Sequence, residues 1–241
     1  MNTAPLTRGI EGEVVFATPA RLATLLQGDE LDAALVSIVE VLFHDRYDVL
    51  DGVAIASRGE VKSVLLAHRC PLAEIREVFC DPASLTSVSL LRVLLGERGL
   101  RPEFRPLVGY GEAAGHEAVL LIGDPALDFL FGGHPHRIWD LGAAWEELTG
   151  LPFVYAAWAL RRGANTPELR RRLRVAKELG LRELDAVVRE RTEYELAFRK
   201  SYLGGNIRYD LGPEEKLGIA KFIALLRQHQ TGQVYAPRFV G

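Results

Sequence analysis

Sulfur is scarce in this chain and neither sign of charge dominates. There are two cysteines and one methionine in 241 residues, and 29 Lys and Arg face 32 Asp and Glu for a formal charge of −3. Each scarcity excludes something. Cys70 and Cys80 alone can build neither a disulfide framework nor a four-ligand zinc site, which suits a reducing, cytoplasmic setting. A near-neutral balance without a clustered basic excess leaves no footprint for a nucleic-acid partner. No apolar run approaches the ~18 residues of a membrane span. Residues 1–8 (MNTAPLTR) lack the basic-then-apolar order of a secretory signal, so a cytoplasmic chain without a membrane partner is expected. Internal repeats and low-complexity tracts are missing, as are the P-loop, GxSxG, HExxH and GxGxxG patterns. The common NTPase, hydrolase, zinc-protease and dinucleotide readings therefore lack support.

What is present reads as an ordinary globular α/β chain, 48% hydrophobic and 25% charged. Its length suits one large domain or two lobes of about 100–120 residues each. Residues 13–17 (EVVFA) read as a strand. Thr18 and Pro19 then start a helix that Gly28 stops, and 31–37 (LDAALVS) has the apolar run of a buried parallel strand, giving a βαβ unit. Further strands are expected at 53–56, 61–67, 75–79, 101–107, 118–122 and 152–159, with helices at 87–95, within 138–148 and at 214–228. Asn165 with Glu168 suggests a capping box opening an Arg-rich helical stretch that breaks near Gly180. Two successive α/β blocks without a linker suggest two lobes around a cleft, divided as 1–69 plus 159–241 and 70–158. In open α/β sheets ligands bind beyond the carboxyl ends of strands, so functional residues are sought just after them.

That rule selects a few places. Ser84, Thr86 and Ser87 stand where a strand gives way to a helix. They could cap the helix, or join its amides in holding a carboxylate or phosphate. Ser63 inside an apolar run, and Ser37 and Glu40 just past the 31–37 strand, are either core and capping groups or cleft donors. Gly123-Asp124-Pro125 poses the same choice after the 118–122 strand. His134-Pro135-His136 sets two imidazoles two apart, with nothing nearby to complete a ligand set. The residues themselves point to a two-lobed, cleft-forming α/β protein for a small, anionic ligand.

Several segments taken in order carry a resemblance. They are Asn2-Thr3-Ala4-Pro5, 28–37 (GDELDAALVS), 59–66 (GEVKSVLL), 84–87 (SLTS), 122–127 (IGDPAL), 139–142 (WDLG), Trp145 and 149–158 (TGLPFVYAAW). The series resembles the chorismate dehydratase family of the futalosine route to menaquinone, and it spans most of the chain. The resemblance implies a periplasmic-binding-protein-like fold of the second type, with two α/β lobes and a cleft between them. It implies loss of water from chorismate to give 3-[(1-carboxyvinyl)oxy]benzoate, driven by aromatisation, with neither cofactor nor metal. Asn2 matches the family asparagine and takes the catalytic place, orienting or hydrogen bonding the leaving hydroxyl or a carboxylate. Ser37, Ser63, Ser84, Thr86, Ser87 and Asp124 form the expected substrate-binding set. Chorismate is the expected partner of a monomer or homodimer, and a substrate carboxylate is the expected acceptor of the ring proton.

Family members carry a strand ahead of the asparagine, whereas here Met1 stands directly before Asn2. The expectation is either a late start or a first lobe lacking its first strand. Two other functions remain beside the main reading. One is the 1,4-dihydroxy-6-naphthoate synthase of the same pathway, and the other is a non-catalytic binding protein for an aromatic carboxylate.

Overall fold

A computed structural model describes residues 1–81 and 85–241. A 3-10 turn, Ala4–Leu6, precedes α1 (Pro19–Gln27), which starts as its sequence directs. Thr18 Oγ1 accepts from Arg21 N at 3.3 Å, and Pro19 takes the first helical position. β1 (Ala33–Ser37), α2 (Ile38–Phe43) and β2 (Tyr47–Ser57) follow, and residues 58–63 carry the chain to a second sheet. There β3 (Val64–His68), β4 (Glu77–Cys80), α3 (Leu85–Gly96), β5 (Glu103–Pro106), β6 (Ala118–Ile122), α4 (Gly123–Phe131) and β7 (Arg137–Asp140) succeed one another. α5 (Leu141–Thr149) leads back to β8 (Phe153–Arg161). Then come α6 (Pro167–Arg182), α7 (Leu184–Glu190), α8 (Leu196–Ser201), a π turn (Tyr202–Asn206), α9 (Pro213–His229) and β9 (Arg238–Val240).

The first sheet has the order β1-β8-β2-β9, with β8 antiparallel to both neighbours and β9 parallel to β2. The second has the order β5-β4-β6-β3-β7, with β4 parallel to β5 and β6, and β3 antiparallel to β6 and β7. Each sheet thus holds one reversed strand between two others, the mark of a chain that crosses between lobes. β8 reads as an almost unbroken apolar run because α2, α5 and α9 pack against it, and Phe153, Ala157, Ala159 and Leu160 are buried. Trp145 and Phe222 meet Phe153 edge to face at 5.1 and 4.9 Å, joining α5 and α9 to this strand.

Three expectations need correction. Residues 13–17 form no strand. Glu11–Glu13 is a 3-10 turn, and the following residues run unpaired, with Val15 and Phe16 exposed. A strand exists only where a neighbour satisfies its amides and carbonyls, and residues 14–17 pair with none although they run beside the free edge of β1. β1 accordingly pairs only with β8, antiparallel, so the expected βαβ unit is absent. The lobe boundaries also move. β3, on the first-lobe side of 69/70, belongs to the second sheet, and most of β8, on the second-lobe side of 158/159, belongs to the first. Apolar runs locate strands but do not say which sheet they join. Finally, α6 is capped by Thr166, whose Oγ1 accepts from Leu169 N at 3.2 Å, while Asn165 bonds Asp48 and Arg170 instead.

The Arg-rich stretch does break near Gly180, at Glu183 between α6 and α7, and Gly180 itself lies inside the last turn of α6. It is the place where the 3-10 turn at Ala4–Leu6 lies on the helix, and a Cβ there would collide with the Pro5 backbone. Gly→Ala in an open helix is worth about 1 kcal/mol of stability, but overpacking of this kind removes about 1–3 kcal/mol. Gly180→Ala should therefore cost up to about 2 kcal/mol net and lower the melting temperature by up to about 8 °C, measured by thermal unfolding. A raised melting temperature would overturn this packing.

Candidate active site

Every serine or threonine that the strand-end rule selects, where it lies among the described residues, opens on one cavity of about 190 Å³ between the two sheets. Leu35 and Ser37 of β1, Ile55 of β2, and Tyr155 and Ala156 of β8 line it from the first sheet. Ser63, Val64, Leu85, Thr86, Ser87, Ile122 and Gly123 line it from the second, and Asn2 and Thr3 close one side. A larger hollow of about 390 Å³ follows the free edge of β1 under Val15 and Phe16. It has an Arg172–Glu13 ion pair at its rim and none of the selected residues. The smaller cavity is the one in which both lobes place hydroxyls.

Each donor is set by its own local structure. Ser37 ends β1 and stands at the start of α2, yet its side chain caps nothing there. Thr86 does so from across the cleft, its Oγ1 accepting from Val39 N at 3.3 Å while it hydrogen bonds closely to Ser37 Oγ. The pair thus stitches α2 of one lobe to α3 of the other. Ser87 lies beside it in the first turn of α3, buried against the cavity. Gly123 begins α4 with φ +62°, and its N–H donates to Ser63 O at 2.8 Å. Ser63 itself accepts from Tyr202 Oη at 2.8 Å and reaches Val61 O only at 3.4 Å.

The turn before Ser63 is held in a conformation L-residues seldom adopt, with Lys62 at φ +64°. Asp140 holds it there. Its carboxylate accepts from Val61 N at 3.1 Å and Lys62 N at 2.7 Å, and it caps α5 through Gly142 N at 2.9 Å and Ala143 N at 3.1 Å. One side chain therefore joins both segments that pass between the lobes. Burial pushes the Asp140 carboxyl above the ordinary carboxylate range, against the pull of these amides.

No Lys, Arg, His, Asp or Glu lines the cavity among the described residues. Its polarity comes from hydroxyls, the Asn2 amide, and the first turns of α3 and α4, where a helix carries roughly half a positive charge. The two tyrosines at its back are protonated phenols. Burial raises Tyr155 well above its usual range, with Ser57 Oγ at 3.0 Å from its hydroxyl, and pushes Tyr202 up to about 12. Such a cavity can hold an anion by hydrogen bonds, but it offers no side chain that is a base at neutral pH.

Of the selected residues, Asn2, Ser37, Ser63, Thr86 and Ser87 come together here. Ser84 lies outside the described residues. Asp124 follows the lining Gly123 but is about half exposed and faces the terminal amine of Met1 at 3.4 Å, so it stands beside the cavity and not in it. Glu40 points away, buried with Gln27 Nε2 at 2.8 Å and His44 Nδ1 at 3.1 Å. His134 stacks on Phe129 in the second lobe, at 4.3 Å between rings. Tyr155, Tyr202, Asp140 and Thr3 were not selected. Tyr155 carried a signal, as the one hydroxyl-bearing residue in the apolar run of β8, since a buried phenol needs a partner. Tyr202 carried none, being 139 residues from the serine it touches.

Comparison with known proteins gives a consistent picture. The family model for menaquinone biosynthesis matches residues 1–228. A chorismate dehydratase of Thermus thermophilus is 34% identical over 262 residues, covering 99% of this chain and 94% of that protein. A solved structural-genomics protein of Archaeoglobus fulgidus superposes with a TM-score of 0.73 at 14% identity, over 94% of this chain and 93% of that one. The periplasmic aliphatic sulphonate binding protein of Escherichia coli superposes with a TM-score of 0.58 at 14% identity, over 94% and 82%. The structural likeness is one of fold, the two-lobed periplasmic-binding-protein-like α/β architecture.

Proposed function

The chain belongs to the menaquinone biosynthesis family, and we propose that it is a chorismate dehydratase, a carbon–oxygen lyase forming 3-[(1-carboxyvinyl)oxy]benzoate and water. The observation that carries the reading is a cavity able to hold an anion without any charged side chain among its described lining residues. A dianionic substrate bound there is neutralised by no lysine or arginine, so its carboxylates keep their charge and basicity.

The residues divide the work accordingly. Ser37, Thr86, Ser87 and the first turn of α3, with Ser84, hold one carboxylate by hydroxyl and amide donors. Ser63 and Asn2 meet the reacting edge of the ring. The C–H bond at the carbon bearing the enol ether breaks, and its proton goes to a substrate carboxylate. The electron pair forms the new ring double bond as the C–O bond to the neighbouring hydroxyl breaks, and the proton held by the carboxylate passes to the departing oxygen, which leaves as water. Asn2, which is no base at neutral pH, hydrogen bonds the departing oxygen. Leu35, Ile55, Val64, Leu85 and Ile122 give the ring an apolar bed.

Purified protein incubated with chorismate should yield an aromatic product with a new ultraviolet band, one water lighter by mass spectrometry. Saturable binding without turnover would reject the enzyme and favour a solute-binding protein. We place the reaction in the cytoplasm, in a monomer or homodimer. The setting is supported by two free thiols, that of Cys80 pushed up to about 12 by burial. No helix among the described residues is long and apolar enough to cross a membrane.

A further inference from the structure

The π turn Tyr202–Asn206 lies far from every segment that the strand-end rule selects, yet it grips the turn that carries Ser63 at two points. Asn206 Nδ2 donates to Glu60 O at 2.9 Å, and Tyr202 Oη donates to Ser63 Oγ at 2.8 Å. π segments recur at functional sites, because the extra residue in the turn re-aims a side chain. Tyr202 is 1% exposed, and its ring stacks on Phe198 at 5.5 Å with 12° between planes. The phenol is therefore fixed before any ligand arrives.

We propose that Tyr202 is a positioning residue, whose hydroxyl donates to Ser63 and aims that serine's own proton into the cavity. The direction follows from proton counting. A phenol has one proton, and it lies on the bond to Ser63. Ser63, with a lone pair taken by Tyr202, keeps its own proton for another acceptor. Among the described residues that proton has only the Val61 carbonyl at 3.4 Å, at the outer limit of a hydrogen bond. A bound carboxylate or departing hydroxyl is the stronger acceptor. Ser63 thus presents a donor to the cavity, and the bond it accepts from Tyr202 polarises its hydroxyl.

This assignment rests on the dehydratase reading, and its test separates the two. Tyr202→Phe keeps the ring and its stack on Phe198 while removing the hydroxyl. Four proteins are compared: wild type, Tyr202→Phe, Ser63→Ala and the double variant. In the wild-type background Tyr202→Phe should lower kcat/KM by about 30-fold, within the range that misaligned contacts produce. In the Ser63→Ala background the same change should cost less than about 5-fold, because the group it acts through is gone. Equal losses in both backgrounds, or full activity in Tyr202→Phe, would overturn the proposal. A purely structural role would lower the melting temperature and leave the effects multiplicative. If the wild-type protein turned over no chorismate, the dehydratase reading would fall. The same cycle would then be read in the dissociation constant for chorismate, where non-additive losses support the relay and additive ones overturn it.

Discussion

Asp140→Ala should lose more stability than any other single truncation near the cavity, and should take activity with it. The carboxylate is the partner of the amides of Val61, Lys62, Gly142 and Ala143. Loss of a helix cap removes about 1 kcal/mol. A buried amide left without an acceptor costs about 1–3 kcal/mol, and among the described residues Asp140 is the acceptor that meets Lys62 N at φ +64°. A total near 3–5 kcal/mol is expected, which for a chain of this length lowers the melting temperature by about 6–20 °C. Asp140→Asn keeps one acceptor oxygen and should show roughly half the loss. The turn that relaxes carries Ser63, so kcat/KM measured well below the melting temperature should also fall, by about tenfold or more. A melting temperature within two or three degrees of wild type (about 1 kcal/mol) would mean that the amides find other acceptors.

Asp140 also marks the boundary of what a sequence can tell. The 122–127 stretch was legible almost to the residue. An apolar run ended at a glycine, aspartate and proline, and the structure has β6 at Ala118–Ile122 with α4 starting at Gly123. Those signals are local, fixed by backbone sterics and by one short segment's need for caps. The hydroxyls Ser37, Thr86 and Ser87 come to one cavity for a related reason, since they follow the ends of β1 and β4 and open α/β sheets gather such positions around one crevice, while Ser63 reaches it from the turn just before β3. Residues 13–17 failed because an apolar run shows that a segment could be a strand, not that it will pair with the edge beside it. Thr166 displaced Asn165 as the cap because Asp48, buried in β2 and also bonded by Arg238 at 2.6 Å, claims the asparagine amide. Tyr202 and Asp140 escaped because their roles are entirely long-range. Nothing in the segments around them says which distant backbone or hydroxyl they will meet.

Ser87→Asp should separate binding from folding most sharply. Ser87 lies in the first turn of α3 and faces the cavity. A carboxylate in the first turn of a helix is favourable by about 0.3–1 kcal/mol, which offsets part of its desolvation and should keep the melting temperature within a few degrees of wild type. The same carboxylate stands where a substrate carboxylate must bind. Two like charges about 5 Å apart at an effective dielectric near 20 repel by roughly 3 kcal/mol, worth a factor of about 100 in affinity, and the donors that should greet the substrate are turned to the new side chain. kcat/KM for chorismate should therefore fall by about 100-fold or more, mostly through KM. Ser87→Asn, neutral and of nearly equal size, should stay within about 10-fold of wild type, since only hydrogen-bond geometry changes. If the aspartate and asparagine variants bind chorismate equally well, the first turn of α3 does not hold a carboxylate, and the anion must sit nearer Ser63 and the start of α4.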